Sequence, residues 1–177
     1  MKDVMVDLET LGTTAGDSII SIGAVYFDQK TQELGDEFHI IIDRQSCREI
    51  GLLESVETIA WWDKQSDEAK KTLVASSNGE GATIYEALVR FSEFMKKGRN
   101  LWGNGSDFDN VLLAAVYQKL ECPPPWKFYN NRCYRTLKSL RPDVKLERIG
   151  TYHNALDDAK TQAVHAMKIF GVMSYGN

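Results

Sequence analysis

The chain opens on an alternation: Val4 and Val6 fall on one face of an extended segment, and Met5, Asp7 and Glu9 on the other. That period of two predicts a strand with two distinct faces. Leu11-Gly12-Thr13-Thr14 interrupts it as a turn. Residues 18–27 and 36–42 read as two more strands, joined by a polar loop with Lys30-Thr31-Gln32 and Gly35, so the N-terminal part predicts a β-meander. Further on the period lengthens to that of a helix. Ser55 and Ser66 stand where N-caps belong, ahead of residues 57–64 and of Asp67-Glu68-Ala69. Residues 83–97 space Ile84, Ala87, Leu88, Phe91, Phe94 and Met95 on one helical stripe, with Gly98 as the residue just past its end.

Residues 100–102 form a short strand candidate, after which Gly103-Asn104-Gly105-Ser106 turns into an apolar helix over 108–121. Ser106 with Asp109 has the spacing of a capping box. Cys122-Pro123-Pro124-Pro125 stops that helix. Residues 132–141 predict a short basic helix ending before Pro142. The final helix, over 154–170, carries Leu156, Ala159, Ala163, Ala166, Met167 and Phe170 on one stripe and is closed by Gly171. No repeat, low-complexity tract or linker divides the chain, so residues 1–177 are expected to form one α/β or α+β sheet domain.

A formal net charge of −4, with 26% charged and 43% hydrophobic residues, argues against a disordered tail, a fibre or a histone-like basic binder. No apolar run reaches the roughly 18 to 20 residues of a membrane span, and Met1-Lys2-Asp3 leads into Val4-Met5-Val6 without a signal-peptide core. A cytoplasmic location with no membrane partner is the expectation. Cys47, Cys122 and Cys133 are odd in number and spread without zinc-ligand spacing, so reduced thiols are expected. Charge is uneven along the chain: residues 126–148 hold seven basic side chains against Asp143 and Glu147. Such a stretch suits either an anionic partner or a solvated face.

Three groups of residues suggest chemistry. Asp7 and Glu9 leave one face of an apolar strand, where two carboxylates repel each other and resist burial unless a divalent cation neutralises them. His153 stands ahead of a helix whose first turns carry Asp157 and Asp158. Asp107-Phe108-Asp109 follows a glycine-rich turn. Each group alone also reads as a solvated strand end, a helix cap or a charge set against a helix dipole. A Trp61-Trp62 pair in a helix can stack on nucleotides but more often fills a core, and His39 and His165 have core or surface roles.

Taken in order, Asp7-Leu8-Glu9-Thr10-Leu11-Gly12, Phe108-Asp109 and His153-x4-Asp158 resemble the three motifs of the DEDD superfamily of 3′–5′ exonucleases, in its histidine-type (DEDDh) branch. The resemblance runs over residues 7–158 and is specific as a set, although each motif alone is weak. Residues 58–66 (TIAWWDKQS) and 132–137 (RCYRTL) are similar to segments of a subgroup of small bacterial and phage enzymes, called exonuclease VIII-like or mycobacterial exoribonuclease-like. This likeness implies a ribonuclease H-like α/β fold, with a mixed central sheet whose first three strands are antiparallel and helices on both sides. It implies that Asp7, Glu9, Asp109 and Asp158 hold two Mg²⁺ or Mn²⁺ ions, with His153 as the general base. Oxygen ligands suit those hard cations, and imidazole is the side chain that changes charge near neutral pH.

The substrate implied is single-stranded DNA or RNA with a free 3′ end, degraded to nucleoside 5′-monophosphates. Thr10, Leu11, Gly12 and Phe108 are expected to contact the terminal nucleotide, with Leu11 wedged against its base. Phe-Asp directly before an apolar helix favours Asp109 over Asp107, and the His-x4-Asp count favours Asp158 over Asp157. A hydrolase of very short oligonucleotides, and a non-catalytic nucleic-acid-binding module, are the alternative readings. Related enzymes are often homodimers.

Overall fold

The computed structural model describes residues 1–98, 100–105 and 107–174. Five strands form one mixed sheet. β1 (Asp3–Thr10), β2 (Ile19–Asp28) and β3 (Glu33–Ile41) make the antiparallel meander, while β4 (Asn100–Gly103) and β5 (Asn131–Cys133) run parallel to β1, in the order β3-β2-β1-β4-β5. The helices are α1 (Arg44–Glu49), α2 (Val56–Trp62), α3 (Asp67–Ser77), α4 (Ile84–Phe94), α5 (Asp109–Lys119), α6 (Tyr134–Leu140) and α7 (Ala155–Ser174). This is the α/β architecture that the order of strands and helices implies.

The alternation in β1 divides the core. Val4, Val6 and Leu8 pack with Leu88 and Phe91 of α4 and with Leu112, Leu113 and Val116 of α5. On the opposite face Met5, Val25, Phe27 and Trp102 meet Tyr134 and Leu137 of α6 and the Ala159, Ala163 and Ala166 stripe of α7. A smaller cluster joins Leu11 and Ile20 to Trp62 of α2 and Ala69 of α3. The small alanine side chains allow α7 to lie close to the sheet. The closest approach is at Gly23 of β2, where an added Cβ would fall 2.1 Å from the backbone of Ala155 and Leu156. Gly23 is paired with Asp7, so the N-terminus of α7 docks directly beside that acid.

Ser55 and Ser66 cap α2 and α3, each accepting from the backbone N–H three residues on. The first part of the expected basic helix is instead the edge strand β5, because Leu101, Trp102 and Gly103 offer it a free parallel partner, and α6 starts only at Tyr134. Gly171 does not close the last helix, which continues to Ser174; the Gln32 side chain donates to the Met167 carbonyl (3.0 Å) and covers the position where a Cβ on Gly171 would stand. Gly98 is extended (φ −80°) rather than left-handed, and α4 ends through a tighter 3₁₀ turn at Met95–Lys97. The capping box read at Ser106 lies outside the described residues, and Asp109 is the first residue of α5.

Gly23→Ala is expected to cost on the order of 3 kcal/mol, because the new methyl meets backbone rather than a movable side chain. Urea unfolding measures it, and an unchanged midpoint would mean that α7 does not sit this close to β2.

Candidate active site

Asp7 and Glu9 project from the end of β1 on the α7 side of the sheet. The β1–β4 ladder stops at the Met5–Trp102 pair and β4 ends at Gly103, so the N–H of Leu8 lies beyond the ladder. Asp109 takes it: one carboxylate oxygen accepts from Leu8 N–H (3.1 Å) and the other from Asn104 N–H (2.8 Å). Gly103 makes room for this, since a Cβ there would fall 2.3 Å from Asn110 Oδ1 and 3.0 Å from Asp109 Cβ. Asp109 is thereby fixed at the junction of β1, β4 and α5, 1% exposed.

The opposite wall comes from α7 and the segment before it. Asp158 and Gln162 lie one helical turn apart on one face. Gln162 donates from Nε2 to Asp7 Oδ1 (2.7 Å). His153 has a left-handed backbone (φ 60°), and its N–H donates to Asp158 Oδ2 (2.9 Å). Arg148 pairs with the other oxygen of Asp158, donates to the Thr151 carbonyl and lies over the Tyr152 ring (4.4 Å). Asp157 instead accepts from Thr151 N–H (2.8 Å) and ties the loop to the helix, while Asp107 is exposed.

These elements enclose a cavity of about 640 Å³. Asp7, Glu9, Asp158 and His153 line it, together with Thr10, Thr58, Trp61, Trp62 and Phe108. Trp62 is buried, with its indole N–H on the Thr10 carbonyl (2.9 Å), as a core tryptophan should be. Trp61 departs from the core reading: it is 42% exposed and stands edge-to-face with His153, ring centres 4.9 Å apart at 87°. Leu11 corrects the sequence reading in the other direction. It has no exposed surface, being packed on Ile20 and Trp62, so it offers no wedge to a base, and Gly12 is buried against the Asp17 carboxylate. His165 has a structural role. Its Nε2–H donates to the Val144 carbonyl (2.9 Å), so Nδ1 accepts from the Tyr134 hydroxyl (2.6 Å).

Gln162, Arg148 and Trp61 are the site neighbours that the motifs do not announce. Gln162 carries a sequence signal in its i+4 spacing from Asp158, and Trp61 in the Trp61-Trp62 pair noted above; Arg148 carries none.

Charge dominates the site. Burial, followed by the charges of Asp109, Glu9 and Asp158, pushes the Asp7 carboxyl well above its ordinary range, against the donated hydrogen bond from Gln162. Burial and the charges of Asp158 and Asp109 raise Glu9 to about 8, opposed by Arg148. Asp109 is raised to about 6 by burial, held down from a higher value by its two backbone donors. Carboxylates this poorly hydrated need positive charge. Carboxylate oxygens of Glu9 and Asp158 and a ring nitrogen of His153 lie within 4.8 Å of one another, and the carboxylates, with that of Asp7, form a set of hard oxygen donors that fits divalent cations.

Solved structures share this fold. The nuclease domain of 3′hExo, a DEDDh family member bound to rAMP, superposes with a TM-score of 0.60 at 19% identity, over 98% of this chain and 92% of that one. Exonuclease I of E. coli, in complex with a dT13 oligonucleotide, gives 0.66 at 13% identity over 98% of this chain and 42% of the larger protein. The fold is thus the ribonuclease H-like α/β fold of the DEDDh enzymes. Residues 2–170 match the 3′-5′ exoribonuclease Rv2179c-like domain; the chain belongs to that family and is a 3′–5′ exonuclease. An exodeoxyribonuclease of Enterobacteria phage T4 is 25% identical over 166 residues, covering 77% of this chain and 70% of the phage protein.

Folded Glu9 and Asp109 keep protons that the unfolded chain releases near pH 4, so between about pH 4 and 8 the native state binds more protons. Stability of the metal-free protein should therefore be fullest below about pH 4 as far as these groups are concerned, and should fall as pH rises to about 8. Added Mn²⁺ should raise Tm more at pH 8 than at pH 5. Thermal unfolding across that range checks both, and a metal effect equal at the two pH values would contradict the electrostatic account.

Proposed function

We propose that residues 1–177 act as one exonuclease domain that removes nucleoside 5′-monophosphates from the free 3′ end of single-stranded DNA or RNA. The observation that carries this reading is the convergence of Asp7, Glu9, Asp109 and Asp158, from one strand end and two helix starts, beside His153 and an aromatic-walled cavity. Asp7, Glu9, Asp109 and Asp158 would hold two divalent cations, Mg²⁺ or Mn²⁺, which when bound activate water and stabilise charge on the departing 3′ oxygen. His153 takes the proton of the attacking water on its ring nitrogen, and the edge-to-face contact with Trp61 keeps that ring turned to the cavity. Phe108, Trp61 and the rim at Thr10 form the surface on which a terminal base and sugar rest, and stacking of this kind tolerates any sequence. Three free cysteines accord with a cytoplasmic workplace.

The names of the relatives divide between RNA and DNA, so the test uses both. The protein is incubated with 5′-labelled single strands of RNA and DNA in Mg²⁺ or Mn²⁺. A ladder shortening from the 3′ end is expected, whereas endonucleolytic fragments or intact strands would overturn the reading.

Asp7→Ala should abolish turnover and leave the fold intact, since it relieves carboxylate crowding. Asp109→Asn should cost far more activity than Asp107→Asn; the reverse order would mean that the middle acid is misassigned. His153→Ala should lose about 10²- to 10⁴-fold in kcat and regain part of it as pH rises, when solvent hydroxide replaces the base. Wild-type turnover with an unchanged pH profile would reduce His153 to a loop residue.

A further inference from the structure

The basic stretch noted in the sequence separates in the structure. Arg141 pairs with Asp143, Arg148 turns inward to Asp158, and Lys168 takes up Glu147. Five of the seven remain, and among the described residues none of them pairs with a carboxylate. Lys145 lines a separate hollow with Glu147 and Lys168, while Lys127, Arg132, Arg135 and Lys138 lie on and beside β5, the edge of the sheet.

Beside them stand two aromatic side chains that are mostly exposed. Phe128 is 83% and Tyr129 64% exposed, side by side with ring centres 5.3 Å apart and edge-to-face. This exposure is built in. The turn Phe128–Asn130 is tied down by Arg132, whose Nη1 donates to the carbonyls of Tyr129 and Asn131 (3.0 and 2.9 Å). It is also anchored by Trp126, whose indole N–H donates to Asn131 Oδ1 (2.8 Å). Largely exposed Phe and Tyr rings on a fixed turn, flanked by cations without carboxylate partners, are what a stacking platform for nucleobases requires.

The platform is continuous with the active site. The β4–β5 register pairs Cys133 with Gly103, so the far end of β5 reaches the junction where Asp109 is held. Arg135 stands there, its guanidinium carbon 3.8 Å from the Cβ position of Gly105, and its positive charge acts on Asp109. From that rim back to Phe128 the strand and its preceding turn span roughly 16 Å.

We infer that the β5 edge, with Phe128 and Tyr129 as stacking rings and Lys127, Arg132, Arg135 and Lys138 as phosphate contacts, holds the single strand upstream of the 3′ end being cut. The occupant is single-stranded nucleic acid because unpaired cations and exposed rings together match its two chemistries, whereas a partner protein face would need carboxylates to meet the cations. The inference rests on the proposed exonuclease reading, and it adds a dependence on substrate length that the cavity alone does not supply.

The test compares wild type with the double variants Phe128→Ser/Tyr129→Ser and Lys127→Gln/Lys138→Gln, on a trinucleotide and on single strands of about twelve nucleotides. Both sugars are used, and salt is varied. Each double variant should keep wild-type kcat/KM on the trinucleotide and lose about tenfold on the longer strand, mostly through KM, and the charge variant should flatten the salt dependence. Equal kcat/KM of wild type and both variants on the long strand would overturn the inference while leaving the exonuclease reading intact. If wild type degrades neither length, it is the exonuclease reading that fails. Sedimentation of the same proteins adds an independent arm. A wild-type dimer that the aromatic variant converts to a monomer would assign this edge to a second copy of the chain and overturn the inference.

Discussion

Burying several carboxylates in one place is costly unless something positive or donating compensates them, and this constraint organises one whole end of the sheet. Asp109 has its two oxygens on backbone N–H groups, one of them left over where the β1–β4 ladder stops. Asp7 has the amide of Gln162, and Asp158 has Arg148 and the N–H of His153. Glu9, 6% exposed, has among the described residues only the charge of Arg148 to oppose its burial, and it is driven to about 8. The protein's own donors thus compensate the cluster in part and leave a demand for charge that a pair of divalent cations would meet.

Backbone fit makes the cluster possible. Gly23 and Gly103 sit where α7 and α5 touch the sheet, and either would collide if it carried a side chain. Both helices reach the site with their first turns, so the acids they carry also see the positive end of a helix dipole. The segment before α7 is fastened to it by Arg148 on Asp158, Thr151 on Asp157 and Ile149 on Thr161 (3.0 Å). That fastening holds His153 in its left-handed conformation and turns it toward Trp61.

Much of this was legible in the residues. Period-two alternation in β1 divided Val4 and Val6 from Asp7 and Glu9 correctly because each face of that strand meets a different environment: one packs on α4 and α5, and the other packs Met5 on α6 and α7 before ending at the acids. The serine caps announced α2 and α3 because an N-cap is a local interaction. What failed was set by distant partners. β5 exists because β4 leaves an edge to pair with, and no local periodicity in three residues reveals that. Leu11 looked like a free apolar residue in a turn, but the turn folds back over Ile20 and Trp62, and its side chain closes a small core. Trp61 and Trp62 are chemically identical neighbours, and only the helix's position over the cavity makes one of them core and the other wall. The inward turn of Arg148 depends on an ion pair across a loop, which composition registered merely as one more basic residue.

The central claim is that this end of the sheet holds protons until divalent cations replace them. Calorimetric titration of Mn²⁺ into the metal-free protein near pH 7, repeated in buffers of different ionisation enthalpy, counts those protons directly. The account predicts a binding heat that changes with the buffer and corresponds to release of about one proton or more per protein, diminishing above about pH 9. A binding heat independent of the buffer near pH 7 would show that the carboxylates are already ionised before the metal arrives, and would contradict it.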